Sequence, residues 1–306
     1  MMFRSSVLAV VTAGLWSLTA GVPRASADDA TTAGVKRALI VCGLSGDAGR
    51  HKQFAETIAR LRDGLVGQLQ FAATDVEVLF GDEPVDGDAD AIRSAARATR
   101  EELEQRARSL RERTRPEDGV WVIVLGHSHY DGRQSWLNLP GPDLQQAEFA
   151  KLFEGLTARE QVFIITTPTS GFFIKPLSAK GRVVITATEA DWETNETEFP
   201  HEFGRVLSGL ETAENLDLDK DGRVSLFDLY VTVVRNLAQS YLERELLATE
   251  HALLDDDGDG RGTEVQIDFL TVDQGGRLQP NRPVSQPVMT KGDGVLAKTV
   301  NLKRMP

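Results

Sequence analysis

A single cysteine, Cys42, occurs among 306 residues, so no intrachain disulfide can form and the core alone must hold the fold. Histidine is scarce too: only His51, His127, His129, His201 and His251 are present, few for an imidazole-rich zinc centre. Beyond the N-terminal stretch Val7–Ala20 there is no long apolar run, so nothing after it is expected to span a bilayer. An excess of positive charge is missing as well. The formal net charge of -12 argues against bulk electrostatic binding of nucleic acid or anionic lipid, and it suits divalent cations. No repeat of solenoid period is found.

The N-terminus has the form of a secretory leader: Arg4, then the apolar run, then Ala25-Ser26-Ala27 before Asp28. Removal of residues 1–27 takes away Arg4 and Arg24 and no acid, moving the net charge from -12 to -14. The remainder is expected to be exported to a periplasmic or extracellular space. Residues 28–36 read as a flexible mature N-terminus.

The chain is organised around 120–132, VWVIVLGHSHYDG, an apolar run that stops at a Gly-His-Ser-His turn. Such a run reads as a strand buried on both faces, with polar residues at the C-terminal end where open α/β sheets place their sites. A second stretch, 161–171 (QVFIITTPTSG), has the same form. Strands are also expected at 37–43, 75–80 and 181–188. Helices are expected around Phe54–Leu65, at 92–113, around Phe149–Leu156 and around Phe203–Leu210, and a loop runs through Pro140-Gly141-Pro142. Strand alternating with helix implies a parallel-rich sheet covered on both faces, spanning residues 37–210. A helical extension (211–274) follows, with one helix over 226–254. A Pro-containing tail (275–306) is expected to wrap the surface or stay partly disordered.

Two aspartate clusters bracket that long helix. Asp217, Asp219 and Asp221 fall at positions one, three and five of a twelve-residue EF-hand-like loop, with Gly222 at six. Arg223 offers its carbonyl at seven, Ser225 reaches through water at nine, and Asp228 takes position twelve. Aspartate in place of glutamate there weakens calcium or shifts the preference toward magnesium. The second cluster sets Asp255, Asp257 and Asp259 in the same register with Gly260, but its twelfth residue is Gln266; Glu264 substitutes if the loop is shorter. Calcium, or magnesium, is therefore the expected cofactor.

At the strand ends, several chemistries compete. Gly126-His127-Ser128-His129-Tyr130 nearly matches the nucleophile elbow of serine hydrolases, with Ser128 as nucleophile. Tyr130 replaces the required glycine, however, and the following turn residues deny a helix. His127-Ser128-His129-Tyr130-Asp131 has the start of a binuclear zinc motif, but Gly132 takes the place of its next histidine. As a set, Arg50-His51, GHSHYDG, LNLPGPDL, GRVVITATEA and ATEHALLDDDGDG resemble the legumain-type cysteine peptidases of the caspase-like clan, over roughly Arg37 to Glu264. That resemblance implies a caspase-like α/β fold, His127 as the histidine after one strand, and a nucleophile after the next. It further implies that Arg50 and His51 line a pocket for an acidic or asparagine side chain, with Ser128 beside them.

The family turn carries a cysteine where this chain has Pro168, in Thr166-Thr167-Pro168-Thr169-Ser170-Gly171. Proline has no nucleophile and no N–H for an oxyanion, so thiolate catalysis cannot run there. The resemblance therefore implies a peptidase homologue that binds peptide or protein segments without turnover. The alternatives are an active peptidase with His127 as base and Cys42, Thr169 or Ser170 as a displaced nucleophile, a calcium-dependent structural or interaction protein, and the Ser128 hydrolase.

Overall fold

The computed structural model describes residues 34–190, 193–210, 216–264, 270–272, 278–280 and 292–304. The expected leader, Gln266 and the tail prolines Pro283 and Pro287 lie outside the described residues. In chain order, β1 (Lys36–Cys42) leads into α1 (Ala48–Asp63), β2 (Val76–Phe80), α2 (Asp90–Arg93), β3 (Ala96–Arg97), α3 (Arg100–Arg113) and β4 (Gly119–Leu125). Three short strands follow, β5 (Ser128–Tyr130), β6 (Ser135–Leu137) and β7 (Leu144–Gln145), then α4 (Gln146–Lys151), β8 (Glu160–Ile165), α5 (Ile174–Leu177), β9 (Arg182–Thr186) and α6 (Phe199–Ser208). The chain continues through β10 (Arg223–Ser225), α7 (Leu226–Glu243), β11 (Leu253–Asp255), β12 (Thr263–Glu264), β13 (Leu270–Val272), β14 (Leu278–Pro280) and β15 (Asn301–Arg304).

Eight strands form the main sheet in the order β12-β11-β9-β8-β4-β1-β2-β3. Pairing is parallel from β9 through β3 and antiparallel at β11 and β12. The register aligns Ile40, Ile123, Ile164 and Ile185 in one row across four strands. This row packs on Phe54, Ile58 and Leu61 of α1, Phe203 and Leu207 of α6, and Leu229 and Val233 of α7. The alternate residues, among them Val41, Val124, Phe163 and Val184, pack on Leu103, Ala107 and Leu110 of α3 and on Phe149, Phe153 and Leu177. A strand buried on both faces has no polar side to show, and every residue of β4 is buried.

Several expected elements differ. The helix expected at 92–113 is broken. The Ser94 hydroxyl donates back to the Asp90 carbonyl at 2.6 Å, Ala96–Arg97 adds to β2, and Thr99 caps α3 by accepting from the Glu102 amide at 3.2 Å. Pairing at the sheet edge overrides a composition that favours helix throughout. The expected loop around Pro140 is flanked by the three-stranded sheet β5-β6-β7, and the helix near Phe149 has only six residues, the chain turning so that Phe153 and Leu156 still reach the core.

The helix expected over 226–254 ends at Glu243. Glu245 takes a left-handed φ of 54°, and the chain returns to pair Leu253–Asp255 with β9, so the expected helical extension also supplies strands to the main sheet. The tail does more than wrap the surface: β15 pairs with β10, and Ala297, Val300 and Leu302 are buried in the core. At the other end, the buried Asp118 carboxylate accepts from the Val35 amide and from Arg37, both at 2.8 Å, so residues 35–37 are tied down. The described residues from Gly34 onward form one compact unit. No helix among the described residues is long and apolar enough to cross a membrane.

Candidate functional site

His127 follows β4, and the turn 166–171 follows the neighbouring β8. Gly126 makes the change of direction possible. Its φ is +106°, and a Cβ there would lie 2.6 Å from the Gly43 amide nitrogen, so any side chain would push apart the ends of β1 and β4. The His127 amide donates to the Leu44 carbonyl at 2.9 Å, and its carbonyl accepts from the Asn138 amide at 3.1 Å.

The half-buried imidazole is held through Nδ1 by Glu196. Arg50 Nη1 lies 3.4 Å from the same Glu196 oxygen, and Arg50 Nε lies 3.6 Å from Asp47, whose carboxylate caps α1 through the Gly49 and Arg50 amides. Asp47, Arg50, Glu196 and His127 thus form one chain of charge along the rim. The hydrogen bond that His127 donates to Glu196 raises its pKa above the ordinary value, against the opposing effects of burial and of Arg50. Glu196→Gln is expected to bring it down, as read from the imidazole chemical shifts during an NMR titration; an unmoved midpoint would show that the pair does not form in solution.

Each candidate nucleophile has a different job. The buried Ser128 hydroxyl donates to the Pro168 carbonyl. Ser170 Oγ accepts from the Ala187 and Thr188 amides, each at 3.1 Å, and pairs with Thr188 Oγ1 at 3.0 Å. Thr169, at φ 53°, pairs its hydroxyl with that of Ser135 at 2.6 Å, and its amide donates to the Glu193 carbonyl at 2.9 Å. Cys42 ends β1 fully buried. Burial pushes its thiol well up, and the negative charges of Asp82 and Glu196 add to this, so little thiolate exists to react. Ser128, Ser170 and Cys42 therefore brace the strand ends, while His127 and Arg50 remain part-exposed.

Two residues that the pattern of the sequence did not single out complete the rim. Glu196 is one. Glu193 is the other: its carboxylate takes the amide of Glu189 at 2.6 Å, the amide of His251 at 3.0 Å, and His251 Nδ1. Burial works against a charged His251, but the Glu193 hydrogen bond and charge outweigh it and raise its pKa. His51 is buried behind the rim. Its Nδ1 lies 3.2 Å from Asp82 and its Nε2 3.0 Å from Asp88, and its ring meets Phe80 edge-on at 5.1 Å.

The aspartate clusters each gather three carboxylates that could hold a metal ion. The oxygens of Asp217, Asp219 and Asp221 lie within 4.8 Å of one another, and so do those of Asp255, Asp257 and Asp259. Left-handed backbone at Lys220 and Gly222 folds the first loop, with the Gly222 amide 2.9 Å from Asp217 and the Arg223 amide 2.9 Å from Asp221. Asp228 stands apart from this group. It forms a capping box with Ser225 at the start of α7 and also accepts from the Leu218 amide at 3.2 Å. Burial pushes its carboxyl up to about 6.

In the second loop Asp255 is buried, which raises its pKa against the opposing effects of the neighbouring Ser178 hydroxyl and the Gly258 amide, and its Oδ2 makes no well-formed hydrogen bond. Glu264 lies in β12, paired with Leu253. The tail braces both loops. Asp256 accepts from the Gly294 and Ala297 amides at 2.8 and 2.6 Å, Asp293 accepts from the Asp256 amide at 2.9 Å, and Lys298 lies 3.8 Å from Asp219.

No protein-family model matches the chain, and no curated protein matches it.

Proposed function

We propose that this chain is a legumain-type, caspase-like peptidase homologue that binds a peptide or protein segment along the carboxyl ends of β4 and β8 without cleaving it. One observation carries the reading: Ser128, Ser170 and Cys42 are buried, and the two hydroxyls are committed to backbone partners, whereas His127 and Arg50 remain part-exposed on the rim. The strand order supports it. β1 is flanked by β2 on one side and β4 on the other, so the strand order reverses beside the end of β4 that carries His127, and the carboxyl ends at such a point are the usual place for a ligand in an open α/β sheet. Arg50 carries donors beyond those held by Asp47 and Glu196, and its planar fork suits peptide carbonyls.

The test is turnover and binding on the same sample. Fluorogenic peptides should show no hydrolysis with calcium, with chelator or under reducing conditions, while Arg50→Ala weakens peptide binding by about tenfold and leaves the melting temperature within a few degrees. Hydrolysis that disappears in His127→Ala would overturn the reading in favour of an active peptidase with a displaced nucleophile.

A second activity has its own support. The buried Asp255 Oδ2, which has no well-formed hydrogen bond although the Ser178 hydroxyl lies near, suits a cation, since a poorly paired buried carboxylate is costly. Asp217, Asp219 and Asp221, with the Arg223 carbonyl, would hold one calcium or magnesium ion, and Asp255, Asp257 and Asp259 another. Such ions neutralise packed carboxylates and brace the tail against the core.

A further inference from the structure

Beside the rim lies an open pocket of about 460 Å³, walled by Leu44, Ala48 and Val85 and carrying Asp47, Asp82 and His51. It adjoins the groove through two links. The Leu44 carbonyl accepts from the His127 amide at 2.9 Å, and Arg50 joins Asp47 to Glu196. The volume is in the range of small-ligand sites, ample for one long side chain.

Its charge departs from what the family resemblance implies. Arg50 and His51 would there meet an acidic or asparagine side chain, but both ring nitrogens of His51 already face the carboxylates of Asp82 and Asp88. Arg50 is likewise turned to Asp47 and Glu196. The carboxylates of Asp47, Asp82, Asp88 and Glu196 outnumber Arg50, His51 and His127 even with both imidazoles charged.

The loop over 81–90 adds Glu83, Asp86 and Asp90 and holds no lysine or arginine; Arg97 and Arg93 answer Glu83 and Asp90 from outside it. Asp82 keeps spare acceptor capacity, since its Oδ1 has only a long 3.4 Å contact with the Ser45 amide. The Ser45 hydroxyl, between two residues that line the pocket, is buried with no hydrogen-bond partner.

We propose that this pocket receives the cationic side chain of a bound peptide, arginine or lysine, with Asp82 and Asp47 as its counter-charges. The inference rests on the peptide-binding reading of the rim and names the residue class that the groove selects. The methylene stem of a basic side chain packs along Leu44, Ala48 and Val85 while its charged head meets the carboxylates. An aspartate in the same place meets like charge, which rejects it. Asparagine gains nothing from the field.

The experiment measures binding of blocked tetrapeptides that differ only in one residue (Arg, Lys, Asn, Asp or Ala) to the purified protein, by calorimetry at low and moderate salt. The Arg and Lys peptides should bind at least about tenfold tighter than the Ala peptide, with the advantage shrinking as salt rises. Asp82→Asn should remove most of that advantage. Asp47→Asn, which keeps a good helix cap, should reduce it independently, and each variant's melting curve shows that it is folded. A preference for Asn or Asp peptides, or an Arg preference unchanged in both variants, overturns the basic pocket and leaves the groove standing. No binding by any peptide overturns the groove and the pocket together.

Discussion

Adding calcium to chelated protein is expected to raise its melting temperature by roughly 5 °C or more for each loop that binds. An ion at a hundred times its dissociation constant stabilises the folded state by about 2.7 kcal/mol per site, and in a chain of this size each kcal/mol moves the midpoint by about 2 °C. Asp217→Asn and Asp255→Asn separate the loops, and each should delete one increment. Asp255→Asn carries a second, opposite signature. It keeps an oxygen for the Gly258 amide, which Asp255 Oδ1 holds at 3.1 Å, and removes a buried charge whose other oxygen has no well-formed hydrogen bond. The chelated variant should therefore melt higher than the chelated parent. A lower melting point with the calcium increment intact would show that this loop is not a cation site. Because the tail joins both loops through Asp256, Asp293, Lys298 and β15, chelation should also expose residues 292–304 to protease first.

The second large effect belongs to Glu250. Its buried carboxylate accepts from the Glu198 and Phe199 amides, both at 3.0 Å, at the start of α6, and from the Tyr241 hydroxyl at 2.9 Å. Glu250→Ala leaves the Glu198 and Phe199 amides without that acceptor and the Tyr241 hydroxyl with Thr249 alone, at 3.2 Å, and is expected to cost about 3 kcal/mol, measured by denaturant unfolding at pH 6 in chelator.

The pH dependence has a definite sign. Burial pushes the Glu250 carboxyl up to about 7, outweighing the hydrogen bonds that favour its charged form. A group whose folded pKa is raised contributes stability that is fully present below its unfolded value, near 4.5, and is lost as pH rises through 7. This one group should therefore make the fold less stable at pH 8 than at pH 4.5, by up to about 3 kcal/mol. Glu250→Gln keeps an acceptor and removes the charge, so its profile should be flatter over that window and its stability at pH 8 no lower than the parent's. A parent and variant with parallel profiles would mean that Glu250 does not titrate there.

Much of the scaffold is written locally. The apolar runs of β1, β4, β8 and β9 bury both faces of their strands, and that property belongs to each run by itself. The aspartate spacing is equally local: carboxylates at alternate positions around a glycine turn come together whatever surrounds them, and both triads do. His127 and the 166–171 turn at the ends of adjacent strands follow from the same logic.

What only the tertiary structure decided is which polar groups meet. Glu193 and Glu196 sit in Glu-Thr-Asn-Glu-Thr-Glu-Phe, a stretch without periodicity, and nothing local says that Glu196 reaches a histidine 69 positions away. Ser128 and Ser170 read as reactive hydroxyls until the packing hands one the Pro168 carbonyl and the other two amides. Arg50 and His51 read as a basic pair until Glu196 comes to meet the one beside Asp47 and the acidic loop closes on the other through Asp82 and Asp88. The break in 92–113 and the return of Leu253–Asp255 to the sheet have the same origin. Hydrophobic burial is set by a segment's own composition, whereas a hydrogen bond or ion pair depends on distances between segments, which exist only once the sheet has brought them together.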